Sequence, residues 1–274
     1  MGILSFLGLR KNKIGLALGS GGLKGFSHIG VLKVLKQNDI PISYMAGTSA
    51  GALIGGIYLT HNQSIEELES ISAQMGTKEV LGVLADFTLN GGLIKGTKVV
   101  EYLNKLLGNV NIEDLPIPFA VVATNLKTGQ PMVFKKGNLA EAIRASGSLP
   151  LIFQPAKIGN NLYIDGGLSI PVPILPVREL GADKVIASFM DSQLLPIEIL
   201  NNERITVNPI ERSLALMIID LSIKNCMEAD IAIKPNFKSM GDPWNLNNYS
   251  KRKEIATLGE IATLKHIEKI RRLI

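Results

Sequence analysis

Short apolar runs alternate with helically spaced stretches along much of the chain, and glycines mark many of the boundaries. Residues 13–18 form an apolar run of strand length that passes directly into Gly19, Ser20, Gly21 and Gly22. Over residues 26–37, Ile29, Leu32, Val34 and Leu35 recur at helical spacing, so the pattern predicts strand, Gly-rich loop, helix. The same order then repeats. Residues 40–46, with β-branched and aromatic members, predict a buried strand, and the small residues from Ser49 to His61 predict a tightly packed helix. Between them lies Gly47-Thr48-Ser49-Ala50-Gly51.

Further along, Ser64 and Glu67 have the spacing of a capping box and predict the start of an acidic amphipathic helix over 65–74. Residues 77–93 fit a helix followed by a turn at Asn90. Residues 97–107 predict a helix stopped by Gly108. Residues 119–124 read as a buried strand, and 131–134 and 152–158 as further strands. The helix predicted over 139–146 lies between those two and ends at Gly147. A short strand over 162–164 delivers Asp165 into Gly166 and Gly167. Residues 183–190 predict a buried parallel strand, 230–234 a strand closing the sheet, and 250–274 one or two helices with a basic end. The alternation predicts an α/β fold, three-layer α/β/α, with a mostly parallel central sheet. No linker or charge block divides the chain, so residues 13–274 are expected to form a single domain behind a tail, residues 1–12.

Composition narrows the function classes. Hydrophobic residues are 46% and charged residues 19%, which argues against disorder. The net charge of +5 is concentrated near the ends, at Arg10, Lys11 and Lys13 and from Lys265 to Arg272. This suits peripheral attraction to an anionic membrane better than a nucleic-acid reading surface, so no nucleic-acid partner is expected. Cys226 is the only cysteine, which excludes an internal disulfide and fits a reducing, cytoplasmic setting, at most peripheral at the inner face of the membrane. No clustered ligand pattern calls for zinc or calcium, and no cofactor is expected. The N-terminal apolar residues Leu4, Phe6, Leu7 and Leu9 precede their charges, the reverse of a secretory signal, and are expected to be a frayed tail. Phe6 also occupies the Ser/Thr position of a myristoylation pattern. The longest apolar runs are too short to cross a bilayer.

Chemistry concentrates in three places. Residues 47–51 read G-x-S-x-G, the spacing of a strand that reverses sharply into a helix with small neighbours on either side of an exposed serine. The helix beginning there also points its unpaired N–H groups and positive end at whatever the hydroxyl attacks. The structural alternative is a Gly-rich turn with Ser49 as an ordinary N-cap. The Gly19–Gly25 loop lacks the last glycine of a dinucleotide fingerprint, since Lys24 occupies it, and lacks the Gly-Lys-Ser/Thr end of a P-loop. An oxyanion hole is the remaining use, and a candidate nucleophile follows one βαβ step later, at the same sheet edge. Asp165 before two glycines is either a common turn or a carboxylate that a neighbour can approach closely.

These elements, in this order, resemble the patatin-like phospholipase family, especially bacterial members related to the neuropathy target esterase catalytic domain. The similarity runs from about Lys13 to at least Asn236. The family's G-G-G-x-[KR]-G element corresponds to residues 20–25, its G-x-S-x-G to 47–51 and its D-G-[AG] to 165–167. Its R-A-S-x-S-x-P segment corresponds to residues 144–150. The resemblance implies a serine acyl-ester hydrolase that acts on lipid or other acyl-ester substrates through an acyl-enzyme. Ser49 would be nucleophile, Asp165 general base, and the Gly21 and Gly22 N–H groups oxyanion donors. Lys24 and Arg144 would orient loops, meet an anionic head group or form structural salt bridges. One departure is Ser20, where the family has glycine; a serine there keeps every N–H unless the position requires positive φ. Two other classes stay open: a Ser-Asp-His esterase using His266, and a non-catalytic lipid- or membrane-binding module. His266 sits in a basic terminal helix pattern and is expected at the surface; His28 is expected to pack or cap, and His61 to end the helix after Ser49. The sequence leaves the oligomeric state open.

Overall fold

A computed structural model describes residues 11–75, 94–190, 209–237 and 251–274. The first half repeats strand and helix as the pattern predicts. β1 (Ile14–Leu18) leads through a 3-10 turn (Gly22–Phe26) to α1 (Ser27–Gln37), and β2 (Ile42–Thr48) leads to α2 (Ala50–Thr60). α3 (Ile65–Gln74) and α4 (Thr97–Leu107) follow, then β3 (Phe119–Asn125), β4 (Pro131–Phe134) and α5 (Leu139–Ser146). Next come β5 (Ala156–Ile158), β6 (Asn161–Asp165), a 3-10 turn (Gly166–Leu168), α6 (Ile174–Glu179) and β7 (Lys184–Ser188). α7 (Pro209–Cys226), β8 (Ile231–Ile233), α8 (Arg252–Leu264) and α9 (Ile267–Arg271) complete the described α-helices and strands.

The sheet has the order β5-β6-β3-β2-β1-β7-β8, with β4 beside β3. β2, β1, β7 and β8 pair in parallel, as do β2 and β3; β4, β5 and β6 enter antiparallel. Strand alternation divides the core into two layers. Ile14, Leu16, Leu18, Met45, Phe119, Val121 and Ile186 face the larger cluster, shared with α1, α2, α3, α5 and α8. Ala17, Ala46, Ala120, Val185 and Ala187 face the other way, against Ile174 and Val177 of α6 and Cys226 of α7. The alanines on that face leave room for α6 to lie close, and a Cβ at Gly15 would overlap Val177.

Register around β3 positions the site. Val121 and Val122 pair with β2 on one side and β4 on the other, while Ala123 and Thr124 pair with β4 and β6. β4 therefore holds one edge from Val121 to Thr124, and β2 and β6 divide the opposite edge. β2 runs parallel to β3 and β6 antiparallel, so their C-terminal ends run toward each other. Thr48 lies opposite Val122 and Asp165 opposite Ala123, the very next residue.

Several boundaries differ from the sequence expectation. The second strand runs two residues further, to Thr48, because its pairing with β3 continues up to the serine turn. The strand expected over 152–158 is ladder-paired only from Ala156; Phe153 makes an isolated bridge to Ile94 instead. At α3, Ser64 Oγ accepts the Glu67 N–H (3.1 Å) as expected, but the box is one-sided. The Ser64 N–H is already bonded to the His61 carbonyl (2.9 Å), and Ser64 Oγ meets the Glu66 carboxylate. The helix and turn expected over 77–93 and most of the N-terminal tail lie outside the described residues.

α1 and α8 cross with their backbones in contact: a Cβ on Gly30 would overlap the Ala256 carbonyl, and one on Gly259 the Ser27 carbonyl. Gly259→Ala sets a helix-propensity gain of up to about 1 kcal/mol against a backbone collision that costs about 1–3 kcal/mol. The collision involves backbone that cannot swing aside, so the variant is expected to be less stable. The measurement is the midpoint of urea unfolding, and a raised midpoint would contradict the close crossing.

Candidate active site

Ser49 lies between β2 and α2 with φ 53° and ψ −118°. Positive φ is disfavoured for any residue with a Cβ, so the chain holds this serine in a strained conformation. The two flanking glycines are required by contact. A Cβ on Gly47 would lie 2.5 Å from the Ala52 backbone, and one on Gly51 would overlap the Leu18 carbonyl at the end of β1. The Ser49 hydroxyl makes no capping bond to the helix it precedes. It donates instead to Oδ2 of Asp165, at 2.8 Å. The Ser49 N–H is held by Oγ of Ser146 (2.7 Å), and that hydroxyl in turn donates to the Val122 carbonyl. The strained turn is thus tethered to β3.

Asp165 ends β6 and is buried, with 3% of its surface exposed. Its Oδ1 accepts the Gly167 N–H (2.7 Å), which turns Oδ2 toward the serine. Its backbone is fixed on both sides: its N–H donates to the Ser148 carbonyl (3.0 Å), and its carbonyl accepts from Thr124 Oγ1 (2.8 Å). A Cβ at Gly166 would overlap the Val122 carbonyl, which accounts for the first glycine of the pair. One at Gly167 would sit 3.0 Å from Asp165 Oδ1 and 3.3 Å from Ser20 Oγ, so the Gly-rich loop and the carboxylate are neighbours.

In that loop, the Gly19 N–H bonds to the Ser188 carbonyl (2.9 Å) and the Ser20 N–H to the Pro171 carbonyl (2.8 Å). Among the described residues no acceptor is paired with the N–H of Gly21 or Gly22. Gly22 adopts φ 54°, whereas Ser20 is not among the positive-φ residues, so the serine departure leaves the loop unstrained at that position. The loop abuts the serine turn, since a Cβ on Gly25 would lie 2.5 Å from that of Ala50.

A family model described as patatin-like phospholipase matches residues 16–178. This chain belongs to the patatin-like phospholipase family. An uncharacterised NTE-family protein of Mycobacterium bovis is 34% identical over 175 residues, 64% of this chain and 48% of that protein. A lysophospholipase NTE1 of Cryptococcus neoformans is 34% identical over 178 residues, 64% of this chain but 11% of the relative. The chain thus spans about half the length, or less, of these curated relatives. The crystal structure of VipD from Legionella pneumophila superposes with a TM-score of 0.55 at 14% identity, covering 95% of this chain and 67% of that one. That likeness is one of fold.

Within this patatin-like chain neither His28 nor His61 has its ring nitrogens bonded to Ser49 or Asp165, and His266 lies in the C-terminal helical segment. His28 is fully buried in the first turn of α1, its Nε2 2.8 Å from the Gly19 carbonyl and its Nδ1 2.8 Å from Ser188 Oγ. A carbonyl only accepts, so Nε2 carries the proton and Nδ1 accepts from the serine. Burial pushes the imidazole down to about 4, partly opposed by the bond to Gly19. His61 caps the end of α2 through Nδ1 and the Ile57 carbonyl (3.0 Å). His266 precedes α9, half-buried, its pKa lowered by desolvation and by Lys269 and Lys265.

The two cations singled out by the family motifs are buried. Lys24 has its Nζ 5.7 Å from the centre of the Phe237 ring. The Arg144 guanidinium donates to Ser148 Oγ and to the carbonyls of Lys95 (3.0 Å) and Gln154 (2.9 Å), and it stacks over Phe153. Burial lowers it to about 10. It thereby joins the paired segments at Ile94 and Phe153 to the helix that carries Ser146. The sequence signals did not single out Ser146, Thr124 or Ser188. Ser146 lies inside the R-A-S-x-S-x-P segment, the one place where a clue to its position existed.

The buried imidazole has a measurable consequence. An unfolded histidine takes up a proton near 6.5, while His28 resists until about 4. Between those values the unfolded chain binds more protons, so stability is fully present above 6.5 and declines as pH falls toward 4. At about 1.4 kcal/mol per pH unit, this group accounts for a loss of about 3 kcal/mol. Urea unfolding of wild type and His28→Gln at pH 7 and pH 4 is expected to show that difference, and parallel curves would contradict it.

Proposed function

We propose that this chain is a serine acyl-ester hydrolase acting on lipid esters through a Ser49–Asp165 dyad. The single observation that carries this function is the direct 2.8 Å bond from a strained, uncapped serine hydroxyl to a buried carboxylate. A serine is a weak nucleophile until a base removes its proton in the transition state. Asp165 receives that proton as Ser49 Oγ bonds to the substrate carbonyl carbon. The resulting oxyanion is met by the N–H groups of Gly21 and Gly22 and by the positive end of α2. Collapse of the tetrahedral species expels the alcohol, which takes the proton from Asp165 and leaves an acyl-enzyme. Water then attacks the acyl carbon, giving its proton to Asp165; the proton returns to Ser49 as the fatty acid leaves.

Lys24 and Arg144 serve this site as loop supports, because both are buried. The direct serine–carboxylate bond also favours a dyad over a Ser-Asp-His triad. The family and the lysophospholipase name of the fungal relative support a phospholipid or lysophospholipid as the substrate class. Peripheral contact with an anionic lipid surface fits the net charge of +5 and the solvent-exposed Ile210, Met217 and Ile223 of α7, which packs on the Gly166–Leu168 turn. No described helix is long and apolar enough to cross a membrane.

A fluorophosphonate probe is expected to label the folded wild type at Ser49 and to leave Ser49→Ala unlabelled. Hydrolysis of lysophospholipid is expected to fall at least about 10³-fold in Ser49→Ala and about as far in Asp165→Asn. His266→Ala is expected to match wild type. A folded wild type that forms no Ser49 adduct would point to a lipid-binding module, and a collapse of activity in His266→Ala to a triad.

A further inference from the structure

Three hydrogen bonds close a ring behind the Gly-rich loop. The Gly19 N–H donates to the Ser188 carbonyl, the Ser188 hydroxyl to His28 Nδ1, and His28 Nε2–H to the Gly19 carbonyl, at 2.9, 2.8 and 2.8 Å. All three residues sit where the sheet edge meets the site: Leu18 and Ser188 are register partners at the ends of β1 and β7. The peptide joining Gly19 to Ser20 is gripped from two directions, its carbonyl by His28 and its N–H by the Pro171 carbonyl (2.8 Å). Only the backbone torsions of Ser20 separate that fixed peptide from the Gly21 N–H. His28 itself cannot drift, because α1 is locked against α8 by backbone contact at Gly30 and Gly259.

We propose that His28 is a positioning residue for ester hydrolysis, its neutral imidazole clamping the Gly19 carbonyl so that the Gly21 and Gly22 N–H groups stay aimed at the oxyanion. This rests on the hydrolase function and oxyanion loop proposed above. Packing alone does not account for the residue. An aliphatic side chain would fill the fully buried position without carrying two polar atoms into it, each needing a partner. Both partners here belong to the loop or to the strand end that anchors it. Since His28 touches neither the serine nor the carboxylate, its loss is expected to impair the transition state and leave ground-state binding alone.

The test compares wild type, His28→Leu and His28→Gln on a short-chain p-nitrophenyl ester. Binding of a trifluoromethyl ketone, whose serine adduct bears an oxyanion, is measured in parallel. Glutamine carries an amide donor to the place of Nε2–H, while leucine keeps volume and removes the donor. His28→Leu is expected to lower kcat about 10–100-fold, less than or equal to the loss of a whole oxyanion donor, with KM nearly unchanged. Affinity for the ketone should fall in proportion, and His28→Gln should recover most of both. A folded His28→Leu with wild-type kcat, or one whose kcat falls while ketone affinity holds, overturns the clamp. If the leucine variant does not fold, ¹⁵N-histidine NMR of the wild type decides. An Nε2–H tautomer at His28 that shifts when the ketone binds supports the clamp, and an Nδ1–H tautomer or an unresponsive signal overturns it. A wild type that neither hydrolyses esters nor forms a Ser49 adduct removes the hydrolase function and this inference together. An active wild type matched by His28→Leu removes only this one.

Discussion

Two strands that end head-on along one edge of β3 are the constraint on which the site depends. Thr48 and Asp165 face consecutive residues of β3, so the serine after β2 and the aspartate at the end of β6 are forced into each other's reach. Backbone ladder bonds fix this juxtaposition to within one residue, because slipping either strand by one position would turn every alternate side chain to the wrong layer. The 2.8 Å bond between Ser49 and Asp165 is a consequence of sheet register before it is a piece of chemistry.

Around that meeting point, glycines and small hydroxyls divide the work. Glycines stand where a Cβ would strike backbone: Gly47 against Ala52, Gly51 against Leu18, Gly166 against Val122. Hydroxyls stand where a backbone group at the crowded junction would lose its partner. Ser146 joins the Ser49 N–H to the Val122 carbonyl, and Thr124 holds the Asp165 carbonyl. A positive φ at a non-glycine residue costs about 1–3 kcal/mol and persists only where the surroundings over-determine it. The tether through Ser146 to the middle strand of the junction supplies that determination. Arg144 extends the same logic outward, since its guanidinium is bonded to Ser148 Oγ and two main-chain carbonyls and binds together segments distant in sequence.

Elements with strong local signals were legible in the sequence. The continuous apolar strands 14–18 and 119–124, the helix 97–107 with its left-handed Gly108 stop, and the G-x-S-x-G turn all depend on neighbours within a few residues. Features settled by distant partners were not. The strand expected from residue 152 shortens to Ala156 because Phe153 finds its bridge at Ile94. Glu67 fails to complete the capping box because the His61 carbonyl already occupies the Ser64 N–H. His28 reads as a packing or capping residue at the start of its helix until Ser188, 160 positions away, is set beside it.

The order of strand, Gly-rich loop and helix, the residues able to do chemistry, and the absence of room for side chains at the turns are inscribed in the amino-acid sequence. They follow from periodicity and residue size, which are local properties. Which edge of β3 receives β6, and hence that Asp165 confronts Ser49 directly with no imidazole between them, was decided only by the tertiary fold. Pairing of β2 and β6 with β3 brings Ser49 and Asp165, 116 positions apart, together through backbone groups that every residue carries alike, so side-chain pattern alone holds no record of the choice.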